Sequence, residues 1–378
     1  MHWFEQLAAM YNEDDIPLYH AVIYTDIELH LSSDGQLLRI RNERMPTLIP
    51  VTAASLHRTS AIEPHPLSDK LRYMTNDYSK PHHDAYIKEL VSWADSNYSD
   101  HRLCAVRNYM IRGTLSSDIS HISAYQDTAV RFVVDDVPLW QDNELIRLHI
   151  ERMSARAESY GVCCLTGEYT VLSRCHPKHV RSSSGSGKLI SYEHRSRILH
   201  QGRHLSPFDV FPIGQELSLK AHTVLRRIIH ENGFIIGSRT FAAWDERSSL
   251  PLPFSLKLAQ PQGRVTVAGF TEATKGRVSV TFLRYVPTER YARIALKWGE
   301  LGISVRDIID HAFGHHSRNG LLCSDSLYGS TAERLLGCII DNTAFPSDIM
   351  RALNYNAPHI AQRLTEYSTG ESYAQTEL

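Results

Sequence analysis

The sequence predicts an α+β fold: a mixed N-terminal part with antiparallel strands, followed by a smaller, mostly helical C-terminal part. Three observations carry that expectation. The runs His20 to Leu31 and Gln36 to Asn42 flank Ser33-Asp34-Gly35, the composition of a hairpin turn. Leu217, Ala221, Val224, Leu225 and Ile228 form an apolar stripe at helical spacing within Leu217 to Glu231. After Trp244, the two-proline loop Ser248 to Pro253 marks a boundary, and the chain beyond it is mostly helical. The expected domains are therefore residues 1–247 and 248–378.

In chain order, Trp3, Leu7 and Met10 share one face of a short helix over His2 to Tyr11. Thr47 to Thr52 reads as a strand beyond the hairpin. Ser55 to Arg72 has no clear period, and Pro64 and Pro66 prevent regular helix through it. A loop of that length in a compact domain is usually functional or disordered. His82 to Asn97 is helical, with Ala85, Leu90 and Trp93 among its apolar residues. Arg102 to Tyr109 and Arg131 to Val134 read as strands, and Glu144 to Tyr160 as a charged helix. Val162-Cys163-Cys164-Leu165 is an apolar run ended by Thr166-Gly167, the pattern of a buried strand stopped by a turn. Lys188 to Tyr192 and Thr240 to Trp244 read as further strands. Arg264 to Ala268 and Val278 to Phe282 alternate, as two strands joined by a long turn. Helices are expected over Thr288 to Glu300, Ser304 to Phe313, Thr331 to Asn342 and Ser347 to Tyr355, before a polar, frayed end.

Composition sets limits on function. Of 378 residues, 42% are hydrophobic and 22% charged, which describes a globular chain with room for two or three domains. A net charge of −2 does not announce a free-standing nucleic-acid binder, although one subunit of an assembly can be neutral overall and carry a basic face. Six irregularly spaced cysteines form no disulfide framework, which points to a reducing cytoplasm. No apolar run approaches the ~20 residues of a membrane span.

Several patterns imitate catalytic sites. Gly185-Ser186-Gly187-Lys188 suggests a phosphate-binding P-loop, but that motif needs Gly at Ser182 and Ser or Thr at Leu189. Cys163, Cys164, Cys175 and His176 suggest zinc, yet adjacent strand residues point to opposite faces. His82-His83-Asp84 resembles part of a metal phosphohydrolase centre, but reads better as the polar first turn of a helix, with Asp84 favourable at its dipole. His315-His316 reads as a surface turn after a helix. No catalytic residue, metal ligand or cofactor is assigned.

The most informative stretch is Gly161 to Tyr192. Arg174 to Arg181 is basic, and Ser182 to Gly187 is a small-residue loop whose backbone N–H groups allow a phosphate close approach. Seven Lys or Arg against one Glu lie between Arg174 and Arg203. A nucleic-acid backbone cradle and a mobile surface loop fit this stretch equally. The phosphate-binding candidates are Arg174, Lys178, Arg181, Ser184, Gly185, Ser186, Gly187 and Lys188. Lys220 and Arg227, on one flank of the Leu217 helix with Thr223, join them.

Three motifs carry a family resemblance. The first is Cys164-Leu165-Thr166-Gly167-Glu168, then Arg174-Cys175-His176-Pro177-Lys178, the Ser182 to Gly187 loop, and Leu189-Ile190-Ser191-Tyr192. The second is Arg58-Thr59-Ser60-Ala61-Ile62-Glu63-Pro64 followed by Leu67-Ser68-Asp69. The third is Thr240-Phe241-Ala242-Ala243-Trp244. Their order and spacing resemble the large subunit of the type I-C CRISPR surveillance complex (Cascade), over most of the chain. The resemblance implies a non-catalytic, cytoplasmic subunit of an antiviral ribonucleoprotein. Its implied partners are the CRISPR guide RNA near its 5′ handle, target double-stranded DNA, the handle-binding and backbone subunits, and a helicase-nuclease recruited on target binding.

On that reading the chain recognises the short motif (PAM) flanking the DNA target. The proline-stiffened loop supplies the motif-reading candidates Arg58, Thr59, Ser60, His65, Ser68, Asp69 and Lys70. Where the family commonly carries an amide after the loop's first proline, this chain has His65. The family's terminal domain, helical and resembling the complex's small subunit, is expected to be absent. Two other functions fit the residues: a metal-dependent nuclease or phosphohydrolase using His82, His83 and Asp84, and a purely structural subunit contacting only protein and guide RNA.

Overall fold

A computed structural model describes residues 2–12, 15–56, 58, 61–156, 159–173, 175–181, 187–190, 211–246, 248–250, 263–274, 276–313 and 325–369. The chain divides into two units that interleave in sequence. Unit A is Asn12–Pro177 with His194–Leu219; unit B is Met1–Tyr11, Lys178–Glu193 and Lys220–Leu378. The boundary expected at Ser248 falls inside unit B. The first helix, α1 (Trp3–Ala9), belongs to unit B although it opens the chain.

Unit A is built on β1 (His20–Leu31) and β2 (Leu37–Pro50), an antiparallel hairpin. Gly35 makes its turn at φ 83°, and a Cβ there would lie 2.4 Å from Ala105 O, so both backbone and packing require glycine. β2 is one strand where two were expected, because an irregularity between Thr25 and Ile27 absorbs the change of register. The one-turn helices α2 (Ala53–Leu56) and α3 (Leu71–Met74) precede α4 (Lys80–Ala94), α5 (His101–Arg112) and α6 (Leu115–Asp118). The chain then returns as β3 (Val130–Val134), parallel to β1, and β4 (Val137–Pro138), giving the sheet order β2-β1-β3-β4. Ile27, Leu29 and Phe132 of the sheet share one core with Tyr86, Leu90 and Trp93 of α4 and Leu103 and Val106 of α5.

The strand expected at Arg102 to Tyr109 is α5. Asp100 caps it by accepting from the Leu103 N–H at 2.9 Å, and Gly113 closes it at φ 70°. Leu103, Val106 and Met110 are buried at helical spacing, which outweighs the short alternation that suggested a strand. Helix α7 (Asn143–Ala155), capped by Asp142, ends before the expected Tyr160. A separate small hairpin comes next, β5 (Tyr160–Val162) with β6 (Tyr169–Val171).

Helix α8 (Gln215–Asn232) begins in unit A and passes into unit B between Leu219 and Lys220. Unit B's sheet comprises β7 (Phe234–Ile236), β8 (Arg239–Trp244), β9 (Ser249–Leu250), β10 (Arg264–Thr274) and β11 (Arg277–Pro287). Its main order is β11-β10-β8-β7, with β9 beside β8. β10 and β11 meet in a tight hairpin, pairing Thr274 with Arg277, instead of across the long turn expected. Among the described residues, five helices follow the sheet: α9 (Thr288–Leu301), α10 (Val305–Phe313), α11 (Asp325–Asp341), α12 (Ser347–Asn356) and α13 (Pro358–Thr369). The last was not anticipated. It starts at a proline, which suits a first helical position, and buries Ile360, Ala361, Leu364 and Tyr367. With sheets mostly antiparallel and helices gathered at the C-terminal end, the fold is α+β.

Candidate nucleic-acid interface

The loop from Arg58 to Lys70 lies in unit A and is organised by an ion pair. The Arg58 guanidinium donates to both Asp69 carboxylate oxygens at 2.6 and 2.5 Å and to Glu63 O at 3.0 Å, and its central carbon lies 4.3 Å from the Tyr73 ring centroid. Asp69, fully buried, also accepts the His65 N–H at 2.8 Å and the Lys70 N–H at 2.7 Å. Burial works against the Arg58 charge, but the Asp69 hydrogen bonds and field more than restore it, so its pKa is raised. His65 is buried with Nδ1 at 3.0 Å from Ser55 Oγ, and burial pushes its pKa down to about 4, leaving it neutral.

Of the residues expected to read the motif, Arg58 is held in the ion pair, and His65, Ser68 and Asp69 are buried. Thr59 and Ser60 lie outside the described residues. Lys70 is at the surface, with Nζ 2.8 Å from Asp127, both side chains nearly half exposed. The other wall of the loop faces a cavity of about 490 Å³, lined by Thr52, Glu63, Pro64, Glu89, Arg156 and Ser173 among others. Glu89 there accepts from Arg152 at 2.9 Å and Arg156 at 2.7 Å, an arrangement the sequence did not announce.

The signature stretch differs from expectation in the same local way. The chain leaves strand after Val162, which is exposed, as is Cys164. Of the two adjacent cysteines, Cys163 is the buried one, its Sγ accepting the Gly214 N–H at 3.3 Å. The Thr166-Gly167 turn closes with Gly167 at φ 74° and its N–H on Cys163 O at 2.9 Å. His176 is buried with Nδ1 2.7 Å from Ser218 Oγ. His82 Nδ1 meets Ser79 Oγ at 2.7 Å, and His83 Nδ1 faces Tyr73 O at 3.3 Å. His315 and His316 lie outside the described residues, as do Arg174, Ser184, Gly185 and Ser186. Among the described residues, no three His, Cys, Asp or Glu gather as a metal site.

The end of the Ser/Gly loop is docked in unit B. The Lys188 N–H donates to Gly276 O at 3.1 Å, and Lys188 O accepts the Val278 N–H at 2.8 Å. A bridge to β11 therefore stands in place of the strand expected from Lys188, whose amide is not open to a phosphate; Ser191 and Tyr192 lie outside the described residues. Gly187 is buried, and a Cβ on it would fall 2.6 Å from Val278 Cγ2 and 2.8 Å from Glu272 Cδ. Its small size thus serves close packing. Arg181 Nε donates to Thr240 Oγ1 at 3.0 Å, and Lys178, three residues earlier, is half-buried. Lys220 sits 5.6 Å from the Tyr11 ring centroid and Arg227 donates to Met10 O at 3.2 Å, so both hold the N-terminal segment against α8.

Sequence reasoning passed over Arg39, Arg41 and Arg44, which are spread along β2, with Arg41 and Arg44 at its surface. Their signal was available: three arginines in six residues, two of them in the strand expected over Gln36 to Asn42. It also passed over Tyr160 and Tyr169, which stack with centroids 6.3 Å apart on the β5–β6 hairpin and are both exposed.

Residues 4–359 match the family model described as CRISPR-associated protein (Cas_Csd1). No curated protein matches the chain. Among the described residues, no helix is long and apolar enough to cross a membrane.

Proposed function

The chain belongs to the Cas_Csd1 family of CRISPR-associated proteins, and from that premise we propose that it is the non-catalytic large subunit of a type I-C surveillance complex. It binds near the 5′ handle of the guide RNA, recognises the motif flanking the target in double-stranded DNA, opens the duplex there and helps recruit a helicase-nuclease. The observation that carries this reading is the Arg58–Asp69 lock. It ties the two ends of a proline-bearing loop together, so Lys70 beside Asp69 is positioned before DNA arrives and less entropy is lost on binding. Within that loop, motif reading falls to Lys70, Thr59 and Ser60. Arg174, Lys178 and Lys188 contribute phosphate contacts.

The test is reconstitution with guide RNA and partner subunits, followed by binding to a library of flanking sequences. Replacing Ser60 or Lys70 with Ala narrows the affinity gap between correct and incorrect motifs by about 1–3 kcal/mol, the value of a base-edge contact. Replacing Arg174, Lys178 and Lys188 weakens all sequences alike and flattens the salt dependence by roughly one slope unit for each phosphate no longer neutralised. The burial of His65, Ser68 and Asp69 favours a second reading, in which the loop serves the fold and subunit docking only. On that reading the loop variants assemble poorly, and the complexes that form keep their motif preference.

A further inference from the structure

We propose that the arginine row of β2, on one face of the unit A sheet, is a docking surface for the sugar-phosphate backbone of double-stranded DNA, contacted by Arg39, Arg41 and Arg44. β2 is the outermost strand of the order β2-β1-β3-β4 among the described residues, and the arginines stand beside His30, Glu28 and Asp26 of β1, on the face those side chains share. Between Leu37 and Pro50 the strand carries three arginines and a single acid, Glu43. All three arginines are exposed, the Arg41 and Arg44 side chains at 49% and 66%. From Arg39 to Arg44 the strand runs about 17 Å at ~3.4 Å per residue, enough to face roughly five phosphates of the duplex.

The contacts these arginines make within the unit are long and peripheral. Arg39 Nη2 is 3.4 Å from His30 Nε2, Arg41 Nη1 is 3.5 Å from Glu28, and Arg44 Nη1 is 3.4 Å from Asp26. The nearby acids already have better partners. Glu28 accepts from Arg131 Nε at 3.0 Å and pairs with His30 at 2.7 Å, while Asp26 accepts the Ala129 N–H at 3.1 Å. Each guanidinium therefore keeps most of its five donors for an incoming anion, and exposed pairs of this kind hold their partners weakly.

Duplex DNA fits better than a single strand. Proteins hold single-stranded nucleic acid by stacking its bases on open aromatic faces. The aromatic ring beside this row, Tyr24, has the Arg44 guanidinium 5.1 Å from its centroid, which occupies one face and presents charge instead. What this row offers is a line of cations with no base-reading geometry, and that suits a contact that is independent of sequence. The surface is separate from the Arg58 to Lys70 loop and stands or falls without it.

The experiment compares the full-length chain with its Arg39→Gln/Arg41→Gln/Arg44→Gln and Arg39→Lys/Arg41→Lys/Arg44→Lys variants. The probes are a short fluorescent duplex of random sequence and a single strand of equal length, titrated across a salt series. The Gln variant is expected to lose affinity for the duplex by on the order of tenfold or more, and its log–log salt slope to fall by about 2–3. The Lys variant, which keeps the charge, is expected to retain the slope. An unchanged slope in the Gln variant, a larger slope loss on the single strand than on the duplex, or no duplex binding by the wild-type chain at the lowest salt each overturn the proposal. So does an acidic polypeptide partner whose binding depends on these arginines while duplex binding does not.

Discussion

Replacing Asp69 with Ala is the sharpest perturbation of the recognition loop. Asp69 accepts four hydrogen bonds, two from Arg58 and one each from the His65 and Lys70 amides, with no exposure to water. The substitution leaves the Arg58 charge, whose side chain is 15% exposed, without its counterion. Breaking one side of such a pair costs about 3–5 kcal/mol. Orphaning the buried His65 amide adds to that, while Arg58 keeps its contacts to Glu63 O and the Tyr73 ring, so a net loss of about 4 kcal/mol is expected. In equilibrium urea unfolding followed by circular dichroism, that is a midpoint shift on the order of 1–3 M for the transition that reports unit A. A double variant, Arg58→Met with Asp69→Leu, removes both charges and fills a similar volume. It is expected to recover the part of the loss that comes from the unpaired Arg58 charge, while the buried His65 amide, still without its acceptor, holds the variant about 1–3 kcal/mol below the wild-type chain. A loss below about 1 kcal/mol in Asp69→Ala, or a double variant no better than the single, would refute the view that this pair locks the loop.

Other predictions concern the core, acid and the docked glycine. Glu28→Ala strands the fully buried Arg131 and is expected to cost about 3–5 kcal/mol in the same assay. His20 and His65 have pKa values lowered from 6.5 to about 4 by burial, and burial lowers His149 well below its ordinary value. The unfolded chain therefore binds more protons than the native one below about pH 6.5, so stability falls as pH drops from about 6.5 towards 4. The upper bound is roughly 3 kcal/mol each for His20 and His65, read as the unfolding midpoint against pH. Gly187→Ala forces a methyl against Val278 and Glu272, and is expected to release the Lys188 bridge, seen as faster amide exchange at Lys188 and Val278 without loss of unit B's sheet. With Mg²⁺, Mn²⁺ or ATP and labelled DNA, the isolated chain is expected to give no turnover; cleavage abolished by His83→Ala would overturn that.

Much of the fold was legible where a turn signal or a single period marked a long segment. The limits of β1 were readable to the residue beside the turn composition Ser33-Asp34-Gly35, and α8, whose apolar stripe repeats at helical spacing, differed by two residues at its start and one at its end. α5 was misread because its central residues admit both periods, and the signals that decide, Asp100 and Gly113, stand outside the apolar run. The strand expected from Val162 ended where the chain turns, with Cys163 inward and Cys164 outward. The loop's polar composition was visible. Its internal pairing was not, since Arg58 and Asp69 are eleven residues apart and only the fold says which polar groups satisfy one another. Gly187 illustrates the same limit: a glycine required by a neighbour across the unit is indistinguishable in sequence from one that opens a backbone to phosphate.

The placement of α1 has a consequence for how the protein is made. Its residues leave the ribosome well before the groups that bury them: Gln6 accepts from Thr266 Oγ1, 260 positions downstream, and the Trp3 ring lies 6.3 Å from that of Trp244. At ~5–20 residues per second, the wait for Thr266 is roughly 10–50 s. During that interval Trp3, Phe4 and Leu7 form an apolar segment on a nascent chain with no partner, while the strands and helices of unit A are already emerging. Vectorial synthesis therefore completes unit B only when its downstream strands arrive to capture α1.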